Sequence, residues 1–483
     1  MDYHYSKKKF IFWSLLIFIF ILACVIRFNW YLSDISFWFD ELLLVMNVQE
    51  HSIWEFFKPL SYNQSAPPLF LFLVKIFTMI FGQGEMAYRF LSILCGVLSI
   101  FIFYLFSKKF FKEESLALIV SNFLFAINYY IIYYSAEVKP YIVDMLVYML
   151  AFLVLDKLSL FKKKHILIIA FFFIVFPWLS LPSLFILTAW FIAQIVYKKF
   201  KLKSLIIVGF SYILSFGVYL FFILIPARSS MLSNGWSNIW IGRTISDLQS
   251  FFYIIKENIL YEFYPNKFVL LILILLVVSW FYFIKAKRYY NNILILSFCL
   301  SIIFAFTTFY PFYQRLTLYC FPIIIIILTF PLEVLSKKYL YFIILLITLN
   351  SYNFDYLKDI CFNYSSIRGN TKEIITCLKE NYNEKEDYIV FNSYSALSFY
   401  YYTKNLKINN GNVIILESGD ISEREFFNML NALPKGRNIF FIKLHDTDNM
   451  NDSEYKYFDD WIKNKKIITK KILNDNFIYQ IKL

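Results

Sequence analysis

The chain has 483 residues, 59% of them hydrophobic and only 17% charged, with a net charge of +13 and a mean hydropathy of +0.58. Even large soluble domains bury only about three-quarters of their surface, which leaves too little interior for so much apolar matter. The 58 Phe and 38 Tyr against 11 Gly and 12 Pro exclude disorder, six cysteines exclude a disulfide scaffold, and a polytopic membrane protein remains.

The first apolar run extends from Phe10 to Trp30 behind Lys7, Lys8 and Lys9. It is long enough to cross a bilayer and lacks a small-residue cleavage site, so it reads as a retained helix with a cytoplasmic amino terminus. Pro67–Phe81 is only 15 residues long and carries Lys75, which predicts an interfacial or re-entrant helix. Counting it as a span would set Lys108, Lys109 and Lys112 outside and invert every later loop, against the inner-side bias of basic residues. Helices are then predicted at about 88–107, 115–134 and 141–157, followed by a pair split at FPWLSLPS and one at about 204–225. An external loop reaches roughly Asn266. The next helix ends at Lys285, Lys287 and Arg288, another leads out to FYPFYQRL, a third returns to Lys337 and Lys338, and a short last one ends near Tyr352. The clusters at Lys162–Lys164 and Lys198–Lys203 fall on the inner side with the others. About eleven spans result, with the carboxyl terminus outside. Basic residues grouped between apolar runs, rather than along one amphipathic face, argue against nucleic acid as a partner.

Beyond residue 355 the composition turns polar. Four β-type runs appear at 387–392, 412–417, 438–444 and 476–483, with helices predicted at Asn370–Asn381, Tyr394–Tyr402, Ser422–Leu433 and Ser453–Asn464 and a closing hairpin turning at Asn474, Asp475 and Asn476. Alternation of this kind predicts a small α/β domain. The fold class is therefore mainly α: a membrane domain over 1–354 with a large first external loop at about 32–87, and an external α/β domain over 355–483. The tail has no glycine-rich phosphate loop, CxxC pair or repeat, and no chemistry of its own is expected there. Cys361 and Cys377 would be able to pair in an oxidising compartment only if the fold brought them within reach.

Charged residues at the membrane edge are the candidates for chemistry, because each is expensive there. The first external loop is densest, with Asp34, the pair Asp40 and Glu41 in FWFDELLL, then Trp54, Glu55 and Lys58. A carboxylate here suits a general base beside an acceptor hydroxyl, and equally suits the first turn of a helix, where the macrodipole favours negative charge. The turn YYSAEVKPY supplies Glu137 and Lys139, either as a salt-bridged turn or as a grip on an anionic headgroup. Arg89, Arg228, Arg243 and Arg315 are single cations, which snorkel to lipid phosphates or bind an anion. Four scattered histidines show no zinc spacing. A divalent cation on Asp40, Glu41 and Glu137 is conceivable but is not predicted, and no cofactor is expected.

WFDE, APPLF, YRFLSILCG, YSAEVKPY and QRLTLYCFP, in this order, resemble the bacterial branch of the protein O-mannosyltransferase superfamily and its relative, the lipid A aminoarabinose transferase. The resemblance covers roughly the first 335 residues and is strongest over 27–160. Lys139 stands where the related motif more often carries Arg, which keeps the charge without the bidentate fork. The resemblance implies a GT-C fold and an inverting glycosyltransferase. Such an enzyme moves a sugar from a polyprenyl-phosphate donor to a lipid, glycan or protein acceptor on the external face of the cytoplasmic membrane. It assigns the catalytic role to Asp40 with Glu41 as companion, and headgroup or phosphate contacts to Glu137, Lys139 and Arg315; Arg89, a single cation at the start of the helix at 88–107, is a further phosphate candidate by its charge and position. The competing readings are a transporter or flippase of lipid-linked sugars, which calls for repeated halves and midplane charges that the sequence lacks, and an oligosaccharide ligase or polymerase, which shares the donor chemistry.

Overall fold

The computed structural model describes residues 2–226, 269–306, 310–336, 339, 341–343 and 358, and 370–482 with short gaps at 405, 409, 417–422, 445–452, 464 and 474–475. Arg228, Arg243, the loop to Asn266, Lys337, Lys338, the predicted short helix near Tyr352 and Cys361 lie outside the described residues. Two compact units are present. The first comprises Met1–Leu32 and Leu44–Leu357, and the second Ser33–Leu43 and Lys358–Leu483.

The first unit is helical: α1 (Asp2–Leu32), most of α2 (Phe39–Glu50), α3 (Pro68–Phe81), α4 (Glu85–Ser107), α5 (Leu116–Ile127), α6 (Tyr129–Tyr133), α7 (Tyr141–Asp156), α8 (Lys163–Leu179), α9 (Ser183–Val196), α10 (Leu202–Tyr219), α11 (Val269–Lys285) and α12 (Tyr289–Phe306). A 3-10 segment at Gln314–Cys320 continues into α13 (Phe321–Thr329) and α14 (Pro331–Val334). Among the described residues four stretches have the length and hydropathy to cross a membrane: Lys9–Leu32, Glu85–Ser107, Leu202–Leu224 and Gln314–Val334. A bent pair, Leu116–Ile127 with Tyr129–Ala136, makes a fifth if taken as one span.

That bent pair corrects the reading of 115–134 as one straight helix, since the axis turns by 53°. Asn128 leaves the helix with ψ 120° and its side chain accepts from the Ile131 amide, starting a new helix. The α5 carbonyls orphaned by the break find a partner in Arg27 of α1, which is wholly buried and donates to Ala126 O at 3.0 Å and Phe125 O at 3.3 Å. Trp30, one turn further, donates to Tyr133 O at 3.0 Å and stacks on the Tyr133 ring. A free helix end in an apolar layer needs such donors or acceptors, since water does not supply them. Lys75 is accounted for in the same way, because its ammonium donates to Val48 O at 2.9 Å and to His51 O, closing the end of α2.

The helices α4 and α7 pack against each other and have chemically distinct ends. At one end lie the basic clusters. Lys109 pairs with Asp156 at 2.5 Å, Arg288 donates to Phe110 O at 2.8 Å, and Lys199 sits 3.9 Å from the Tyr289 ring centroid. Three clusters that the sequence assigns to one side thus meet. At the other end are Arg89 and the turn holding Glu137 and Lys139.

In the second unit five strands, β1 (Tyr388–Asn392), β2 (Val413–Leu416), β3 (Asn438–Lys443), β4 (Lys466–Leu473) and β5 (Asn476–Lys482), form one sheet in the order β2-β1-β3-β5-β4. The first three are parallel, and β5 runs antiparallel to both neighbours. Period-two alternation sends Ile389, Phe391, Phe440 and Ile442 to the face covered by α15 (Thr371–Asn381) and α16 (Ser393–Thr403). Val390, Ile439 and Phe441 face α17 (Glu423–Asn431) and α18 (Ser453–Ile462). Helices on both faces are what a parallel sheet with apolar strands requires. The mainly helical class with a small carboxyl-terminal α/β domain is as expected, and β4 with β5 forms the expected closing hairpin, β4 being the arm whose residues the four β-type runs did not include.

Candidate active site

Within the first unit the structure brings Arg89, Glu137, Lys139 and Arg315 to one end of α4 and α7. Arg89 lies in the second turn of α4 and is buried. One turn on, Ser92 donates to Glu137 O at 2.5 Å, tying α4 to the Glu137–Lys139 turn. The Lys139 amide also returns to Glu137 O at 2.8 Å, so the turn is tight and both side chains are buried. The Lys139 ammonium donates to Gln64 Oε1 at 2.8 Å. Arg315, half-buried in the 3-10 segment, places its guanidinium over the Tyr141 ring at 5.8 Å, two residues beyond Lys139.

The turn is held against α4 by a small-residue contact. A Cβ built on Gly96 would lie 2.4 Å from Ser135 Oγ and 2.6 Å from Ser135 Cβ. Only glycine lets the backbone approach that closely, as in close helix contacts within membranes. Ser135 in turn donates to Ile131 O at 2.6 Å.

In the second unit, Asp40 and Glu41 occupy the first turn of α2, whose opening bond runs from the Leu42 amide to Trp38 O at 2.9 Å. Asp40 is half-buried, while Glu41 has no exposed surface. Both the predicted helix-start role and accessibility for chemistry are compatible with Asp40. Glu55, a further acid of the loop, has a structural role. It accepts from the Ser52 hydroxyl and amide, each at 2.7 Å, and those bonds hold its carboxyl below the usual range.

Sequence reasoning missed Gln64, Ser92 and, most tellingly, Asp144. Asp144 sits in the first turn of α7, five residues beyond Lys139, is buried beside Ser180, and its Oδ1 has no hydrogen-bond partner. Ser180, Ser183 and Tyr319 are likewise buried, Ser180 beside Asp144 and Tyr319 beside Ser301. These groups, on α7, the α8–α9 junction and the 3-10 segment, are buried polar side chains in an otherwise apolar layer, where each needs a polar neighbour. The signal was present as a lone carboxylate in the apolar run YIVDMLVYML. Among the described residues no three His, Cys, Asp or Glu side chains are grouped to hold a metal ion.

Residues 65–227, which include Arg89, Glu137, Lys139 and Asp144, match the family model described as dolichyl-phosphate-mannose-protein mannosyltransferase. The match bears out the resemblance read from the sequence motifs. No curated protein matches the chain. Among solved structures it is similar to ArnT from Cupriavidus metallidurans in the apo state, with 10% identity, 95% of this chain and 97% of that chain covered, and a TM-score of 0.49. It is also similar to the same protein bound to undecaprenyl phosphate, at 10% identity, the same coverage and a TM-score of 0.44.

Proposed function

We propose, with the mannosyltransferase-type segment over residues 65–227 as the premise, that the chain is an inverting glycosyltransferase of GT-C type. It transfers one sugar from a polyprenyl-phosphate carrier to an acceptor hydroxyl on the external face of the cytoplasmic membrane. In this reading the amino terminus is cytoplasmic, residues 1–354 form the membrane domain and residues 355–483 the external one. The observation that carries the reading is the gathering of Arg89, Glu137, Lys139 and Arg315 at the end of α4 and α7 away from the basic clusters. Cations opposite the usual inner-side bias call for an anion, and a lipid phosphate at the interface is one.

A single displacement needs a base, stabilisation of the leaving group, and orientation. The acceptor oxygen attacks the anomeric carbon as the bond from that carbon to phosphate oxygen breaks, which inverts the configuration. Its proton passes to the Asp40 carboxylate. The departing phosphate keeps the electron pair, and Lys139 and Arg315 stabilise that charge where water is scarce. Lys139 is preset by Gln64, and the Glu137 turn is preset by Ser92. The tyrosines Tyr129, Tyr130, Tyr133 and Tyr134, stacked or packed edge-on against one another, immediately precede that turn in the chain.

Extraction of lipid-linked sugars tests the reading. Cells lacking the protein should accumulate a polyprenyl-phosphate monosaccharide, and re-expression should clear it. Lys139→Arg should clear it as well, because the positive charge matters more than the ammonium shape, whereas Lys139→Ala should leave most of it in place. Lipid extracts identical with and without the protein would refute the assignment.

Asp144 supplies a second expectation. A buried carboxylate with an unpartnered oxygen costs stability, by about 1–3 kcal/mol for such a group. Asp144→Leu should therefore leave the thermal midpoint in detergent equal to or above that of wild type while transfer falls. A midpoint several degrees lower would mark Asp144 as a packing element instead.

A further inference from the structure

The second unit contains more than the carboxyl-terminal domain, because the chain just ahead of Asp40 and Glu41 is built into it. Ser36, buried, donates to Asn370 Oδ1 at 2.7 Å and accepts from the Lys372 amide at 2.9 Å. That second bond satisfies one of the free amides at the start of α15, where Asn370 makes no side-chain cap of its own. A serine 336 positions away thus caps the helix. The Lys372 ammonium holds Asp34 twice, at 2.9 Å to Oδ2 and 3.1 Å to the carbonyl. Asp34 has a φ of 47°, the left-handed region that a non-glycine residue occupies at a cost. The Phe37 amide donates to the Tyr402 hydroxyl at 2.7 Å, and the Phe37 ring, fully buried, meets Tyr401 edge-on. Asp34, Ser36 and Phe37 are therefore held by the start of α15 and the end of α16, the last of them three residues before Asp40.

We propose that the carboxyl-terminal α/β domain is the holder of the acidic segment, with Ser36, Lys372 and Tyr402 as positioning residues that fix the entry of α2 and hence the carboxylate of Asp40. This rests on the reading that places the chemistry at Asp40. A base works only within hydrogen-bond reach of the proton it takes, and displacement by about 1 Å already lowers rates sharply. It also explains why a domain with no catalytic signature belongs to the chain. Its sheet and helices supply a rigid frame that a loop between apolar helices lacks.

The test uses the full-length protein in nanodiscs and two measurements. Hydrogen exchange of the peptide covering 33–43 reports the hold directly, and transfer from a polyprenyl-phosphate sugar gives kcat and the donor KM. Tyr402→Phe removes one oxygen, and Lys372→Ala removes a partly exposed cation, so both should leave the fold intact. Each should speed exchange at 33–43 and lower kcat by roughly tenfold, as expected for loss of one ordering hydrogen bond, with the donor KM unchanged. Lys372→Arg should restore both values. Exchange equal to wild type in both variants, or faster exchange with unchanged kcat, would overturn the proposal. A wild-type protein that transfers nothing would refute the assigned reaction instead, and the exchange measurement would still decide whether the domain holds the segment.

Discussion

Asp40→Asn is expected to lower turnover by about two to four orders of magnitude while donor binding and membrane insertion survive. The substitution keeps the size and shape of a half-buried side chain in the first turn of α2 and removes only its capacity to take a proton. Neither donor binding nor insertion needs that charge. Glu41→Gln should cost less, because the proposed reading gives the proton transfer to Asp40 and Glu41 has no exposed surface. The two substitutions also separate catalysis from helix stabilisation. A carboxylate in a first turn contributes about 0.3–1 kcal/mol through the macrodipole, which would appear as a small loss of stability shared by both variants. The measurement is transfer rate and donor affinity on purified variants. Near-normal turnover in Asp40→Asn together with its abolition in Glu137→Gln would move the base to the turn after α6.

Gly96→Ala is expected to have the largest effect of any single methyl group in the membrane domain. Its new carbon would overlap Ser135 Cβ as well as Oγ, so rotating the serine brings no relief and the backbone of the turn must move. Overpacking of this kind costs about 1–3 kcal/mol. Because the displaced turn leads into Glu137 and Lys139, turnover should fall by about ten- to a hundredfold. Ser135→Gly in the same chain removes the opposing atoms and should return most of both losses, whereas Ser135→Ala, which keeps Cβ, should not. Thermal midpoints and turnover of the two double variants decide the matter. Rescue by Ser135→Ala would mean that the hydroxyl alone had clashed.

Much of the architecture was legible because it follows from local periodicity. The alternation in YIVFN and NIFFIK, with apolar side chains demanded on both faces, gave the central strands to within a residue. β4 was foreseen only as the unbounded first arm of the closing hairpin, for a physical reason. As an edge strand it carries Lys466, Lys470 and Lys471, charges that discourage pairing with another chain, and a register shift between Ile467 and Thr469 breaks its alternation. The bend at Asn128 was equally invisible, since the donors that make it tolerable come from Arg27, about a hundred residues earlier. At the candidate site, motif order singled out Asp40, Glu41, Glu137, Lys139 and Arg315, and of these the fold brings Glu137, Lys139 and Arg315, together with Arg89, to one end of α4 and α7. Gln64 carries no such mark, because an amide in a polar loop has no distinguishing pattern. The hold on Asp34–Phe37 depends on residues more than 330 positions away, beyond the reach of any window.

The burial of Arg27 has a consequence for biogenesis. An arginine in a membrane-inserted helix costs up to about 2.5–3.5 kcal/mol at the helix centre and less toward the ends, and Arg27, five residues from the end of the Lys9–Leu32 stretch, gives its guanidinium to Ala23 O of its own helix and to the carbonyls of Phe125 and Ala126. When α1 first enters the bilayer the Phe125 and Ala126 acceptors have not yet been synthesised, and the guanidinium must reach toward the headgroups instead. Only after the ribosome has added roughly a hundred further residues does the acceptor pair arrive and draw the side chain inward. The first helix therefore settles at its final depth late, as a step of assembly and not of insertion, and the bend that precedes Glu137 and Lys139 is locked in the same event.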